Sequence, residues 1–289
     1  MKQVIICVLL VLALLLGGCG GTPSETTPAS ADDPVPAVTS TLRAYCFQAG
    51  KADAFLFWND AGAVLIDTGE SGFGKTIYTK LVELKIERLD WLILTHFDKD
   101  HVGGAKKLLN AVEIGTVLQS NCPKEGASAY EKYAEAVQAA GIEPVTLREP
   151  MEFTLGDTVF RVDPPARESY PEDPSNNSSL IVTVTHGADR LLFCGDAEEL
   201  RLEEFLRKDP GACALLKMPH HGKWEDALQD LVRLTAPAWA VITSSDVERE
   251  APDTLALLER SGVETFLTRF APVLITSDGE GLRVEYETP

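Results

Sequence analysis

"LTHFDKDHVGG", residues 94–104, carries His96, Asp98, Asp100 and His101 within six consecutive positions. Imidazoles and carboxylates at this density are the donors a divalent cation takes. Alone, the stretch would read as a charged surface turn, so its surroundings decide. Immediately before it stands "DWLIL" (90–94), short and almost wholly apolar, which reads as a strand covered on both faces. Gly103-Gly104 then open "GGAKKLLNA", a helix restarting close behind the loop. A rigid strand that delivers polar residues to irregular backbone is how layered α/β folds assemble sites.

Three further places repeat the arrangement. Asp67 ends "AVLID", Asp196 follows "RLLFCG", and the pair His220-His221 follows "ALLKMP". One apolar strand ending in an acid or a histidine is unremarkable as chance; four such strands are not. Asp196 is expected to bridge two ions. One ion would take His96 and Asp98; the other would take Asp100 and His101 with His220 or His221, a choice the sequence leaves open. Two ions about 3.5–4 Å apart acidify a shared water and brace both the attacking and the leaving oxygen. That chemistry is hydrolysis of an ester, amide or phosphodiester.

The rest of the chain alternates between strand-like and helix-like segments. "LRAYCFQAG", "AFLFWND" and "GAVLID" read as strands, and "GKTIYTKLVELKIE" and "ASAYEKYAEAVQAAG" as helices. "EFTLGDTVFRVDPP" reads as a hairpin turning at Gly156-Asp157. The alternation resumes after residue 179 and closes with "ETFLTRF", "PVLITSD" and "GLRVEYE". Two comparable halves predict two sheets packed face to face with helices outside.

These motifs, "LIDTG", "THxxxDHVGG", "GD" and "PHHG" in this order, resemble those of the metallo-β-lactamase superfamily over about residues 42–289. Within it, "LTHFDKDHVGG", "SNNSSLIV", "CGDAE" and "LLKMPHHGK" are most similar to the subgroup containing the extracellular domain of the competence DNA-uptake protein ComEC. The resemblance implies a four-layer αββα sandwich of the α/β (α+β) class. It also implies a hydrolase with two divalent ions, zinc or manganese. Its ligands would be His96, Asp98, Asp100, His101, Asp196 and a histidine of the 220/221 pair. Asp67, Asn177 and Ser179 would support those ligands from behind. Catalytic roles would fall to Asp100 and Lys217, and structural pairing is the alternative for Lys217, a charge in an apolar strand. Asp98 makes one site richer in oxygen, which favours harder ions such as manganese.

The sequence departs from the subgroup at Glu250-Ala251-Pro252, where a histidine is common, and at Lys223, where a small hydroxyl residue is common. Lys99 and Lys223 read as solvated lysines, with a place facing the cleft as the other option. His186, beside Gly187, reads as a turn residue rather than a ligand.

The chain of 289 residues carries 26 Lys+Arg against 44 Asp+Glu, a net charge of −18. Such acidity argues against broad nucleic-acid binding on a basic surface, though not against a nucleic acid in one metal-lined cleft. Residues 1–18 read as a lipoprotein signal peptide: Lys2, an apolar run from Val4 to Leu16, then Leu16-Gly17-Gly18-Cys19. The run is shorter than the roughly 20 residues of a membrane-spanning helix. Cys19 would carry lipid, and residues 19–40, rich in Thr, Ser and Pro, would be a flexible tether for a domain over 41–289. The domain would then face outward from a bacterial membrane. Of the remaining cysteines, Cys46, Cys122, Cys194 and Cys213 match no zinc-ribbon spacing, and small buried hydrophobes are the reading for three of them.

The resulting expectation is a membrane-tethered metal hydrolase of phosphodiesters, with nucleic acid as the specific substrate and no protein partner. Lactone, ester or β-lactam hydrolysis is the enzymatic alternative, and a lipid-anchored binding domain of the same fold the non-catalytic one.

Overall fold

Strand β4 (Arg88–Leu94) has Leu92, Ile93 and Leu94 fully buried, and a strand without a solvent face demands covering layers. The computed structural model describes residues 38–288. The segment read as a signal, Cys19 with its expected lipid, and most of the expected tether lie outside them.

Both neighbours of β4, β3 (Gly62–Ile66) and β5 (Glu113–Gln119), run parallel to it. Parallel pairing requires crossovers, supplied by α1 (Gly74–Glu83) before β4 and by α2 (Lys99–Val102) with α3 (Ala105–Leu109) after it. Helix α4 (Ser128–Ala140) then leads to the short strand β6 (Val145–Thr146). Ahead of β3, β1 (Leu42–Cys46) and β2 (Phe55–Asn59) form an antiparallel pair.

A second sheet begins as an antiparallel meander of β7 (Met151–Leu155), β8 (Thr158–Asp163), β9 (Ile181–His186) and β10 (Asp189–Phe193). It continues in parallel through β11 (Leu215–Lys217), β12 (Trp239–Ile242) and β13 (Glu264–Leu267). The crossovers are α5 (Glu199–Leu206), α6 (Leu228–Thr235) and α7 (Pro252–Arg260). The chain ends in β14 (Val273–Ser277) and β15 (Leu282–Tyr286).

Strand order is β15-β14-β1-β2-β3-β4-β5-β6 in one sheet and β13-β12-β11-β10-β9-β8-β7 in the other. Apolar side chains of both sheets meet between them, where Phe57 lies edge-on to Phe160 and Phe193 at 5.5 and 5.1 Å. Two further apolar layers join each sheet to its helices. This is the four-layer αββα sandwich expected from the sequence.

The halves are not equal, however. β14 and β15 leave the second half and join the first sheet, where Cys46 pairs with Val273 and Leu42 with Ser277. That pairing covers the free edge β1 would otherwise present. Apolar patterning shows that a strand exists but not which edge it will seek. Two single 3-10 turns, Asn176–Ser178 and Pro219–Gly222, also escaped the sequence reading.

His186 is no exposed turn residue. It is buried at the end of β9, with Nδ1 2.7 Å from the Ser277 hydroxyl, which donates at 2.5 Å to Asp189. The trio links the β9–β10 hairpin of one sheet to β14 of the other. All four cysteines after the tether are free thiols, and Cys46, Cys194 and Cys213 are buried as expected.

Gly103 and Gly104 have a steric reason. A Cβ on Gly104 would stand 2.3 Å from the Thr68 carbonyl oxygen, and one on Gly103 2.6 Å from the Ser71 amide nitrogen. Backbone therefore packs on backbone where the metal-type loop meets the loop after β3, and only glycine permits that approach.

Candidate metal centre

The C-terminal ends of β3, β4, β10 and β11 deliver Asp67, the 96–101 loop, Asp196 and the 220/221 pair to one place. Asp67 leaves its strand with φ at 55°, a left-handed conformation that turns its carboxylate inward. Its Oδ1 accepts the Thr95 amide at 2.8 Å. Its Oδ2 accepts the Thr95 hydroxyl at 2.7 Å and lies 2.8 Å from His101 Nδ1. The Thr68 amide and hydroxyl both donate to the His101 carbonyl at 2.7 Å. His101 is thereby fixed at both ends, with Nε2 facing Asp196 Oδ2 at 3.1 Å.

His221 is aimed in the same manner from the other sheet. Its Nδ1 lies 2.9 Å from the Thr243 hydroxyl, which itself donates to Asp53 at 2.6 Å. Its Nε2 is then 3.0 Å from Asp196 Oδ2 and 3.7 Å from Asp100 Oδ2. Asp100, His101, Asp196 and His221, all buried, bring one donor atom each to within 4.8 Å of one another. Of the histidine pair, the structure brings His221 into this group. His220 turns aside, with Nδ1 2.7 Å from Glu198 Oε1 and Nε2 3.9 Å from Asp196 Oδ2. Both residues have positive φ, 44° and 55°, which sends adjacent imidazoles to different partners.

His96 lies beside the group, its ring centroid 4.1 Å from that of His101. Its Nδ1 is 3.4 Å from the Ser179 hydroxyl, which also accepts the Asp196 amide at 3.1 Å, so Ser179 touches two candidate ligands. Asp98 stands 3.9 Å from His96 Nε2, and its carboxylate is bonded by Lys124 at 2.6 Å and by Ser175.

Asn177 does not support the ligands. It donates to the Glu172 carbonyl and accepts the Arg201 amide at 3.0 Å, so it shapes the entry to α5 instead. Lys217, expected in a catalytic role, is fully buried and reaches Asp53, the Gly195 carbonyl at 3.0 Å and Asp196 at 3.7 Å. Without access to substrate it is a positioning residue. Lys99 is exposed, 3.5 Å from Glu70, whereas Lys223 is held by Glu198 at 2.8 Å. The Glu250-Ala251-Pro252 segment still backs the histidine turn, since the Ala251 amide donates to the Gly222 carbonyl at 3.0 Å.

Asp53 escaped the sequence reading. It is fully buried and touches Lys217 and Thr243, with His221 at 3.5 Å. Its signal was an acid set between alanines directly before an apolar strand, "ADAFLF".

Charge in the centre is strongly polarised. Burial would raise the Asp196 carboxyl, but His101 and His221 hold it well below its ordinary range. Burial works against Asp100 too, yet His221 and His101 hold it far below the usual carboxylate range. For Asp98, burial is likewise outweighed, by His96, Lys124 and Ser175. Burial depresses His221, but Asp196, Asp100 and Asp53 raise it to about 10. Burial, aided by His101, pushes His96 down to about 4.

The donor set fits divalent cations. Nε2 of His96 and Oδ1 of Asp196 are buried without a hydrogen-bond partner among the described residues, and Nε2 of His101 and of His221 both crowd onto the single oxygen Asp196 Oδ2. Orphaned buried polar atoms are rare because each costs its full desolvation. Here two lie at one point, with carboxylates and imidazoles mixed as metal sites have them.

The sequence profile of the Metallo-beta-lactamase superfamily matches residues 48–242, more than half of the chain. ComE operon protein 3 of Bacillus subtilis (strain 168) is 29% identical over 231 residues, 72% of this chain and 29% of that protein. Recombination protein 2 of Haemophilus influenzae is 26% identical over 202 residues, 68% of this chain and 23% of that protein. The chain thus spans less than a third of either relative. Among solved structures, the metallo-beta-lactamase fold protein YhfI from Bacillus subtilis superposes with a TM-score of 0.54 at 11% identity. That superposition covers 86% of this chain and 100% of the other, and it speaks for the fold. Profile, relatives and fold agree with the arrangement of the site: the chain belongs to the metallo-β-lactamase superfamily.

Proposed function

We propose that the chain is a metal-dependent phosphodiesterase with two ion positions. One ion would be held by Asp100, His101, Asp196 and His221, the other by His96 and Asp98 with Asp196 shared. The convergence of imidazole Nε2 atoms from both sheets on Asp196 is the observation that supports this most. Divalent ions there supply Lewis acidity and a nucleophile at neutral pH.

The remaining work belongs to the chain's own residues. Asp67 sets the orientation of His101, and Thr243 that of His221. The Ser179 hydroxyl holds the Asp196 backbone amide, and Lys217 places a fixed positive charge behind Asp196. Asp100 is buried beside Lys51, whereas Asp98 is the most exposed of the proposed carboxylate ligands. Three carboxylates, Asp98, Asp100 and Asp196, match three imidazoles, and this share of oxygen brings manganese beside zinc as the expected ion. Phosphodiesters are favoured over lactones or β-lactams by the likeness to the competence-protein subgroup.

Elemental analysis of the zinc- or manganese-loaded chain is expected to give about two ions per chain. The loaded protein should hydrolyse bis-p-nitrophenyl phosphate, and chelation should remove that activity reversibly. Loaded protein that cleaves neither this ester nor single-stranded DNA would refute the proposal. The domain is further proposed to be tethered by lipid on Cys19 to the outer face of a bacterial membrane. Cys19→Ser should then move the protein from the membrane fraction to the soluble one, and a variant that stays with the membrane would count against lipidation.

A further inference from the structure

Three lysines from separate loops each place an ammonium group on a carboxylate of the metal-type cluster or its edge. Lys51, between β1 and β2, lies 3.4 Å from Asp100 Oδ2. Lys124, between β5 and α4, bonds Asp98 at 2.6 Å. Lys223, directly after the histidine turn, bonds Glu198 at 2.8 Å, the same oxygen that faces His220. Their side chains are 29%, 42% and 53% exposed, so each amine can swing into solvent.

Two cavities adjoin the centre beside these lysines. One of about 250 Å³ is lined by Lys51, Lys223, Arg249, His220 and His221. The other, about 210 Å³, is lined by Lys124 and by Ser175, the residue that also touches Asp98. In a chain of net charge −18, the three cations Lys51, Lys223 and Arg249 around the first cavity, against the one carboxylate of Glu248, are not explained by composition, and the second cavity sets Lys124 beside Glu168.

We propose that Lys51, Lys124 and Lys223 are specificity-determining residues that bind phosphates flanking the scissile phosphodiester. The inference rests on the phosphodiesterase reading and deepens it. Two of the three partner carboxylates, Asp98 and Asp100, are the candidate ligands. A divalent ion carries twice the charge of an ammonium group and approaches a carboxylate oxygen more closely, so it displaces the lysine from that oxygen. Exposed ion pairs add little to stability, so the fold does not need these pairs to persist. The freed amines of Lys51 and Lys124 then stand at the rim of the ions, where non-bridging phosphate oxygens arrive, while Lys223, the most exposed of the three, shares the cavity of Lys51 without needing release by an ion; lysine binds phosphate as a mobile point charge. Neutral lactones and esters would gain nothing from them. A strand lying across the centre would place neighbouring phosphates in both cavities.

The test is binding of a fluorescent oligothymidylate of about eight hydrolysis-resistant phosphorothioate units to the manganese-loaded chain, followed by anisotropy against potassium chloride concentration. Three lysine–phosphate contacts predict a log–log salt slope near −2, at about 0.7 per contact on a single strand. Each Lys→Met change should reduce the slope by about 0.7, and the corresponding Lys→Arg change should restore it. The triple Lys→Met variant should bind at least about 100-fold more weakly at low salt. Unchanged affinity and slope in the triple variant, or no binding by the wild type, would overturn the assignment. A wild type that hydrolyses bis-p-nitrophenyl phosphate without lysine-dependent strand binding sinks this inference alone. Lysine-dependent strand binding without any phosphodiester cleavage sinks the phosphodiesterase reading alone.

Discussion

Asp196→Ala is expected to remove both metal retention and turnover, with kcat/KM falling by about 1,000-fold or more, roughly 4 kcal/mol of transition-state stabilisation. One oxygen of Asp196 lies 3.1 Å from His101 Nε2 and 3.0 Å from His221 Nε2, and the other is buried without a hydrogen-bond partner among the described residues. The Asp196 carboxylate thus faces an imidazole from each sheet. The strand end that carries Asp196 is otherwise well held, with its amide on Ser179 and the Gly195 carbonyl on Lys217. Loss of the carboxylate therefore empties the centre while the backbone stays in place. Metal content by elemental analysis, phosphodiester turnover and circular dichroism check the three parts separately. A variant that kept wild-type metal content and rate would show that Asp196 bridges nothing.

Lys217→Met is expected to cost about 3–5 kcal/mol of folding stability, since removing one partner of a buried pair strands the other. Lys217 and Asp53 are both fully buried, and Lys217 sits at the end of a three-residue strand inside the second sheet. Asp53 would keep the Thr243 hydroxyl but lose its only lysine contact among the described residues. For a domain of this size the midpoint temperature should fall by about 10 °C. The double change Asp53→Asn with Lys217→Met should recover more than half of the loss, because the stranded charge is gone. Urea titration of the metal-free protein measures both. Equal instability of the single and double variants would mean that lost packing, not an unpaired carboxylate, sets the cost.

The two effects divide the centre into parts that the sequence disclosed unequally. The 94–104 loop, Asp196 and the histidine pair were legible because each follows an apolar run, and strand burial and ligand delivery leave the same mark. The choice of His221 over His220 was not legible. It depends on two consecutive left-handed backbone conformations and on Thr243, which lies 22 residues away just past the end of β12. Asp53 was missed because one carboxylate between alanines announces neither its lysine, 164 residues away, nor its threonine, 190 residues away. Asn177 stood within the right motif, yet backbone geometry turned it to the Arg201 amide. The layered fold was readable from alternation and apolar runs, whereas the destination of the last two strands was not.

That last pairing bears on how the chain is made. β1 hydrogen-bonds to β14, so Cys46 must wait for Val273 before its edge is closed. Synthesis proceeds from the N-terminus at about 5–20 residues per second, so the edge of β1 away from β2 stays unpaired for roughly ten seconds or longer. Every strand that carries a metal-type residue lies between those two and can pair with its neighbours first. The ligand-bearing ends can therefore assemble in the nascent chain, and the first sheet is sealed only when nearly the whole polypeptide has been released.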